Sequence, residues 1–261
     1  MLKTRVITAL IALAAIAVVL FVLPQAYAEI VIAVLVLAGA WEWSAFIGSE
    51  TVAVRVAFTA MIAACLAVAH ALAPDRAALI LQLACVWWAV AFVWTLRFPT
   101  PIPAALRWLC GALVLVPLFV ALVVLLRLGV EYLIFTLLIV WLADGGAYFA
   151  GKWFGRVKLA PSISPGKTWE GVVGGMLLVA VLVVVVALRR NVEVAVLLPF
   201  CLGVAALSVV GDLTVSMFKR TAGVKDSGSL FPGHGGVLDR VDSVAAAAPL
   251  FALGLVLLEL A

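Results

Sequence analysis

Residues Val194–Phe218 read VAVLLPFCLGVAALSVVGDLTVSMF, a long apolar run in which the one charged residue is Asp212. About 20 apolar residues suffice for a helix to cross the hydrocarbon of a bilayer, so this run is a membrane span with an acid near its end. Immediately afterwards the character of the chain inverts. Ser216–Asp242, SMFKRTAGVKDSGSLFPGHGGVLDRVD, gathers Lys219, Arg220, Lys225, Asp226, His234, Asp239, Arg240 and Asp242 in a chain that is 67% apolar and only 11% charged. Apolar helices here carry a polar island, and the island is where chemistry is expected.

Outward from that stretch, uncharged or nearly uncharged runs recur at about 6–23, 30–47, 56–73, 77–96, 108–126, 132–149, 172–188 and 244–260. Soluble globular chains are only about half apolar, and continuous runs exclude the alternating pattern of a membrane β-barrel. The fold class is therefore all-α: a polytopic integral membrane protein with about nine transmembrane helices. The first run, Val6–Leu23, precedes Ala26-Tyr27-Ala28, which looks like a signal-peptide cleavage site. Its apolar core exceeds the ~7–15 residues of a signal peptide, so it reads as a retained helix. Pro74, Asp75 and Arg76 read as a tight turn between two spans. The proline-rich segment RFPTPIPAALR, Arg97–Arg107, marks the boundary between N-terminal helices (1–103), suited to lipid access or oligomer contacts, and a C-terminal region (104–261) bearing the site.

Lysine and arginine in the short connections set orientation. With a cytoplasmic N-terminus, 13 of the 17 basic residues fall on the cytoplasmic side, and only Arg76, Arg127, Arg189 and Arg190 fall opposite. Both polar segments, 151–171 and 216–242, then share the cytoplasmic face. Glu42, between Trp41 and Trp43, reads as part of an interfacial aromatic belt. His70 reads as a packed or interfacial residue. Cys65, Cys85, Cys110 and Cys201 all lie inside apolar runs and read as small buried hydrophobes.

An acid inside a membrane helix is costly enough to suggest function. Asp212, Ser216, Lys219 and Arg220 stand at i, i+4, i+7 and i+8, one helical face. That face is either a self-neutralising Asp–Lys network or one wall of a site. The glycines around His234 (Gly228, Gly233, Gly235, Gly236) favour the site, since such a loop lets backbone amides approach phosphate oxygens. Asp239 and Asp242 open the last helix. Acids there complement a helix dipole, but beside Asp212 and four cations they also suit a magnesium–polyphosphate site, in which Mg²⁺ takes one or two carboxylates plus phosphate oxygens. In segment 151–171, Ser162, Ser164, Lys167, Thr168 and Glu170 offer hydroxyls and a cation for phosphate, without the glycine spacing of a P-loop. Its plainer reading is a basic loop on anionic lipid.

Ser216–Asp242 resembles the signature of the CDP-diacylglycerol synthase (phosphatidate cytidylyltransferase) family, S-x-x-K-R-x4-K-D-x-G-x3-P-x-H-G-G-x2-D-R-x-D. All 13 fixed positions across these 27 residues are met. Ser164–Gly171 and Asp144 followed by Ala147-Tyr148 are similar to the family as well, and Gly145 departs from it where a hydroxyl residue is common. The resemblance spans about 144–243 and implies an Mg²⁺-dependent nucleotidyltransferase that joins CTP to phosphatidate, releasing pyrophosphate. It implies Asp212 and Asp239 as ligands of the divalent metal, with Asp144 or Asp242 sharing a second ion if one binds. Lys219 and Asp242 join them as catalytic residues. Substrate binding falls to Ser164, Lys167, Ser216, Arg220, Lys225, Asp226, His234, Gly235, Gly236 and Arg240. The expected partners are CTP, phosphatidate, membrane lipids and a second copy in a homodimer, with no nucleic acid. The expected location is a bacterial inner membrane with the site facing the cytoplasm. A transporter would spread its acids across the membrane depth, whereas Asp144, Asp212, Asp239 and Asp242 gather on one side. The D-G-x-x-A-R pattern of CDP-alcohol phosphotransferases also fails, because Asp144-Gly145 is followed by Gly146, Ala147 and Tyr148.

Overall fold

A computed structural model of the chain describes residues 11, 14–48, 51–228, 230 and 235–257. Helix α1 spans Gln25–Trp43 and ends in a 3-10 turn, Ser44–Ile47. It is followed by α2 (Val52–Arg97), α3 (Ala104–Leu128) and α4 (Val130–Phe154). A short antiparallel hairpin, β1 (Lys158–Ala160) and β2 (Ser164–Thr168), precedes α5 (Trp169–Arg190), α6 (Val194–Thr221) and α7 (Leu238–Leu257). The described residues hold eight spans long and apolar enough to cross a membrane. Of the expected first span, 14–21 is helical and most of the remainder lies outside the described residues. Among the described residues, the two strands of the hairpin depart from an all-helical reading, with Lys158 paired to Thr168 and Ala160 to Ser164.

The 46 residues of α2 are helical throughout but do not form a straight rod. Straight, Phe58 and Trp94 would stand about 54 Å apart at 1.5 Å per residue. Instead both reach the same small cluster. Trp43 and Phe58 flank Gly111 from two sides, Trp43 lies 4.8 Å from Phe218, and Phe218 lies 6.0 Å from Trp94. The helix thus doubles back near Ala73–Asp75, giving spans Val52–Ala73 and Asp75–Arg97. Residues 74–76, read from sequence as a tight turn, are helical instead, and the reversal falls within the helix there.

Helices α3 and α7 form the middle of the bundle. Ala245, Ala246, Ala247 and Ala248 of α7 are fully buried, and their small side chains let neighbouring backbones come close, the usual basis of helix association in lipid. Outward faces keep large apolar residues, such as Leu177, Val181 and Leu188 on α5, where lipid tails satisfy them. One end of the bundle is pinned by Arg127, whose Nε and Nη2 donate to Glu29 at 2.8 Å each, with Gln25 donating to the same carboxylate. At the opposite end Trp43 donates to the Arg107 carbonyl, and Arg107 donates to the carbonyls of Ile102 and Phe46. The polar island lies at this second end.

Candidate active site

Three pieces of chain meet at the site: the C-terminal third of α6, the hairpin, and the N-terminus of α7. Helix α6 delivers its expected face. Ser216 donates to Asp212 Oδ1 at 3.0 Å, one helical turn apart. Lys219, itself buried, turns to α7 and pairs with Asp239 Oδ1 at 2.9 Å, with Asp242 Oδ2 at 3.9 Å. Arg220 uses Nε to bond the Ile163 carbonyl at the tip of the hairpin.

The hairpin brings Lys167 over α6, where its ammonium lies 2.6 Å from Asp212 Oδ2. The following residue, Thr168, anchors it, since its hydroxyl accepts from the Gly171 amide and caps α5. Glu170 in that first turn accepts from the Val157 amide and ties the other strand back to the helix. Strand ends and helix start thereby fix the lysine's position.

Asp212 and Asp242 are neighbours because Gly211 has no side chain. A Cβ there would sit 2.5 Å from the Asp242 carbonyl oxygen and 2.9 Å from Ala246 Cβ, so α6 and α7 touch backbone to backbone beside the two acids. Asp144, on α4, reaches the same region, close enough to Lys167, Asp212 and Arg240 to feel their charges and beside the Ser243 hydroxyl. Four acids and three lysine or arginine side chains thus converge at one end of the bundle. Among the described residues, no three His, Cys, Asp or Glu side chains form a ready-made metal cage; the acids are interleaved with lysines instead.

Asp239 has the most crowded carboxylate. Besides Lys219 it accepts from the Ser227 amide through both oxygens and from the Gly236 amide at 2.9 Å. It therefore braces the loop that precedes its own helix, and the Gly236 amide, read from sequence as a phosphate donor, is engaged inside the protein. Gly235 holds φ of +81°, a left-handed conformation that side chains disfavour. Lys225 and Asp226 stand exposed on this loop, and Ser164 sits half-exposed on β2. His234 and Pro232 lie outside the described residues.

One residue escaped the sequence reading. Glu42 does not belong to an interfacial belt: it is buried, at 9% exposure, as is Trp43 at 0%. Its Oε1 accepts from the Val237 amide at 3.0 Å, and its Oε2 from the Leu238 amide at 2.8 Å and the Ser227 hydroxyl at 3.0 Å. The available signal was the one applied to Asp212, a lone acid in an apolar run. Flanking tryptophans diverted it.

Comparison with known proteins gives consistent findings. A profile described as "Cytidylyltransferase family" matches residues 3–258. The chain is 44% identical to a protein named phosphatidate cytidylyltransferase from Pseudomonas aeruginosa, covering 97% of this chain and 96% of the relative. A protein of the same name from Haemophilus influenzae is 36% identical over 96% of this chain and 97% of its own length. One from Staphylococcus saprophyticus is 46% identical across 47% of this chain and 48% of the relative.

Proposed function

The chain belongs to the cytidylyltransferase family, and we propose from this membership and the site's geometry that it acts as a phosphatidate cytidylyltransferase. It transfers the cytidylyl group of CTP to phosphatidate, giving CDP-diacylglycerol and pyrophosphate. The observation that carries the mechanism is the meeting of Lys167 with Asp212 and of Lys219 with Asp239 and Asp242 at one end of the membrane bundle.

A phosphate oxygen of phosphatidate attacks the α-phosphorus of CTP. A new P–O bond forms, the bond from that phosphorus to the bridging oxygen breaks, and pyrophosphate leaves with the electron pair. A phosphomonoester is mostly ionised at neutral pH, its second pKa being about 6, so no strong general base is needed. The obstacle is charge: two polyanions must meet. Lysines held in place before substrate arrives lower that barrier without reorganising. Lys167 and Lys219 rest against carboxylates, so their charges are stored at the site and become available to phosphate oxygens. Arg220, aligned through the Ile163 carbonyl, Arg240, Lys225 and Asp226 would serve substrate binding, with Ser164 and Ser216 supplying hydroxyls. His234 and Gly235 are assigned to substrate binding in the same reading.

The donor set suits Mg²⁺. All the ligand candidates are hard carboxylate oxygens, and one or two of them with phosphate oxygens and water are enough for this ion. Asp239 spends its acceptor capacity on Lys219 and two amides, so Asp212 and Asp242 are the better holders, with Asp144 alongside for a second ion. Bound there, Mg²⁺ would neutralise charge on the α-phosphate and on the departing pyrophosphate. In the same reading the protein lies in a bacterial inner membrane with the site facing the cytoplasm, works as a homodimer, and uses its N-terminal helices for lipid access or subunit contacts.

The test is pyrophosphate release by the full-length protein in detergent with CTP, Mg²⁺ and phosphatidate, beside Asp212→Asn. We expect release that depends on lipid and on divalent metal, and that falls by at least about 100-fold in the variant, the scale of losing one preorganised charged group. Folded protein that releases no pyrophosphate would overturn the assignment.

A further inference from the structure

Every group placed in the site comes from residues 144–242, yet the loop and helix that carry Asp239 and Asp242 are held from outside that region. The geometry points to Glu42 as a positioning residue for the transfer reaction: a carboxylate on α1 that caps α7 from another helix and fixes the substrate loop. This inference rests on the function proposed above.

A helix begins with amides that have no partner inside it, and in lipid or a dry core such amides are costly. The donors at the start of α7 are met by two acids from opposite sides. Asp239, within the helix, accepts from Gly236; Glu42, nearly 200 residues earlier in the chain, accepts from Val237 and Leu238. Its negative charge also complements the positive end of the α7 dipole. Through the Ser227 hydroxyl it grips the other strand of the loop, and the amide of that same Ser227 donates to Asp239. Glu42, Ser227 and Asp239 form one connected network ending at the lysine-paired acid.

Glu42 also accounts for two signature glycines. A Cβ on Gly228 or on Gly236 would run into the Glu42 carboxylate. A side chain at either position would have to displace the Glu42 carboxylate from its hydrogen bonds, a reason for glycine independent of phosphate approach. Glu42 is in turn seated by its neighbour Trp43, whose indole donates to the Arg107 carbonyl and packs on Phe218 of α6. With both carboxylate oxygens engaged and its side chain buried, Glu42 has no direct route to substrate. It acts through Asp239 and Asp242.

The chemistry suggests a clean substitution. In Glu42→Gln one oxygen becomes an NH₂ group. Because Val237 and Leu238 donate to different oxygens, either amide orientation sets a donor against a backbone N–H. Shape is kept, while one of the two backbone contacts and the negative charge of the cap are lost. Two measurements on the full-length protein in detergent test this: steady-state kinetics with CTP and phosphatidate, and hydrogen exchange resolved by segment. We expect kcat to fall by about 10–100-fold, the usual cost of losing a partner that orients a reacting group, with KM for CTP changed less than threefold. Exchange should quicken in 222–242 and stay unchanged in α3, α4 and α5. Ser227→Ala, which removes one of the three donors, should give the same pattern at smaller size. In a double-mutant cycle, Gly236→Ala should cost less activity in a Glu42→Ala background than alone, since the obstructing carboxylate is gone.

Unchanged kcat and unchanged exchange in Glu42→Gln would overturn the proposal, as would exchange that quickens evenly through all helices in both Glu42→Gln and Ser227→Ala. The exchange readout does not depend on turnover. A wild-type protein without lipid-dependent pyrophosphate release would defeat the assigned reaction, while the local exchange result would still decide the clamp.

Discussion

Lys167 and Asp212 meet at 2.6 Å with side chains about a quarter exposed, 24% and 26%. With that exposure its contribution to stability is small, nearer that of surface ion pairs, about 0–1 kcal/mol, than that of a fully buried pair. On the function proposed above, its value is catalytic: it stores a cation for incoming phosphate. Lys167→Ala should therefore lower kcat/KM by about 100-fold while shifting the melting temperature by no more than a few degrees. Thermal unfolding beside steady-state kinetics checks both halves. Combined with Asp212→Asn, the losses should be far from additive, since each substitution disables the same pair. Gly211 is the other decisive residue. A Cβ there would meet the Asp242 carbonyl, so Gly211→Val should part α6 from α7, separate Asp212 from Asp242, and abolish detectable pyrophosphate release. At this scale the sequence was legible for groups that share one helix face, such as Asp212 and Ser216. It could not show that Lys219 would choose α7 over Asp212, because that choice depends on how closely two helices approach.

Between elements, the seam of α4 and α5 is built from glycine. A Cβ on Gly146 would come within 2.9 Å of Gly175 Cα, and one on Gly171 within 2.7 Å of the Ala147 carbonyl. The helices pack almost in backbone contact, as small residues allow in membranes, and α5 is carried far enough forward for the hairpin to hang over α6. Gly175→Leu should overpack this seam at a cost of about 1–3 kcal/mol or more, read as a lower melting temperature together with lost activity. Thr168→Ala is gentler. It removes the cap on α5, worth about 1 kcal/mol, and loosens the neighbouring Lys167, so activity should fall several-fold at a temperature where the protein remains folded. Apolar runs located these helices in the sequence. The hairpin was not foreseen, because a few residues of strand amid proline, serine and glycine carry no periodicity.

Across the whole molecule, the two ends do different work. At the end opposite the site, Glu29, Arg127 and Gln25 tie α1 to α3, with His70 Nδ1 of the α2 turn region 3.7 Å from the same carboxylate. Arg127→Leu would leave Glu29, only 11% exposed at its side chain, without its main partner. The destabilisation should approach but not reach the ~3–5 kcal/mol of breaking a fully buried pair, because Arg127 is one-third exposed. Melting temperature should drop, while kcat measured below it should stay near wild type. A comparable loss in kcat would show that this end communicates with the site.

Composition and spacing by themselves determined the solvent, the number of described spans, the end of the bundle that holds the charge, and the residues within one polar island, because each follows from hydrophobicity or from periodicity along one helix. Contact between distant elements decided the rest. The fold-back of α2, the crossing of α6 and α7 at Gly211, the reach of Lys167 over Asp212 and the capping of α7 by Glu42 all depend on how bulky and small side chains interlock in three dimensions. An acid at the end of an apolar helix looks the same in sequence whether it faces the membrane interface or an unpaired helix N-terminus; only packing determines which donors it meets.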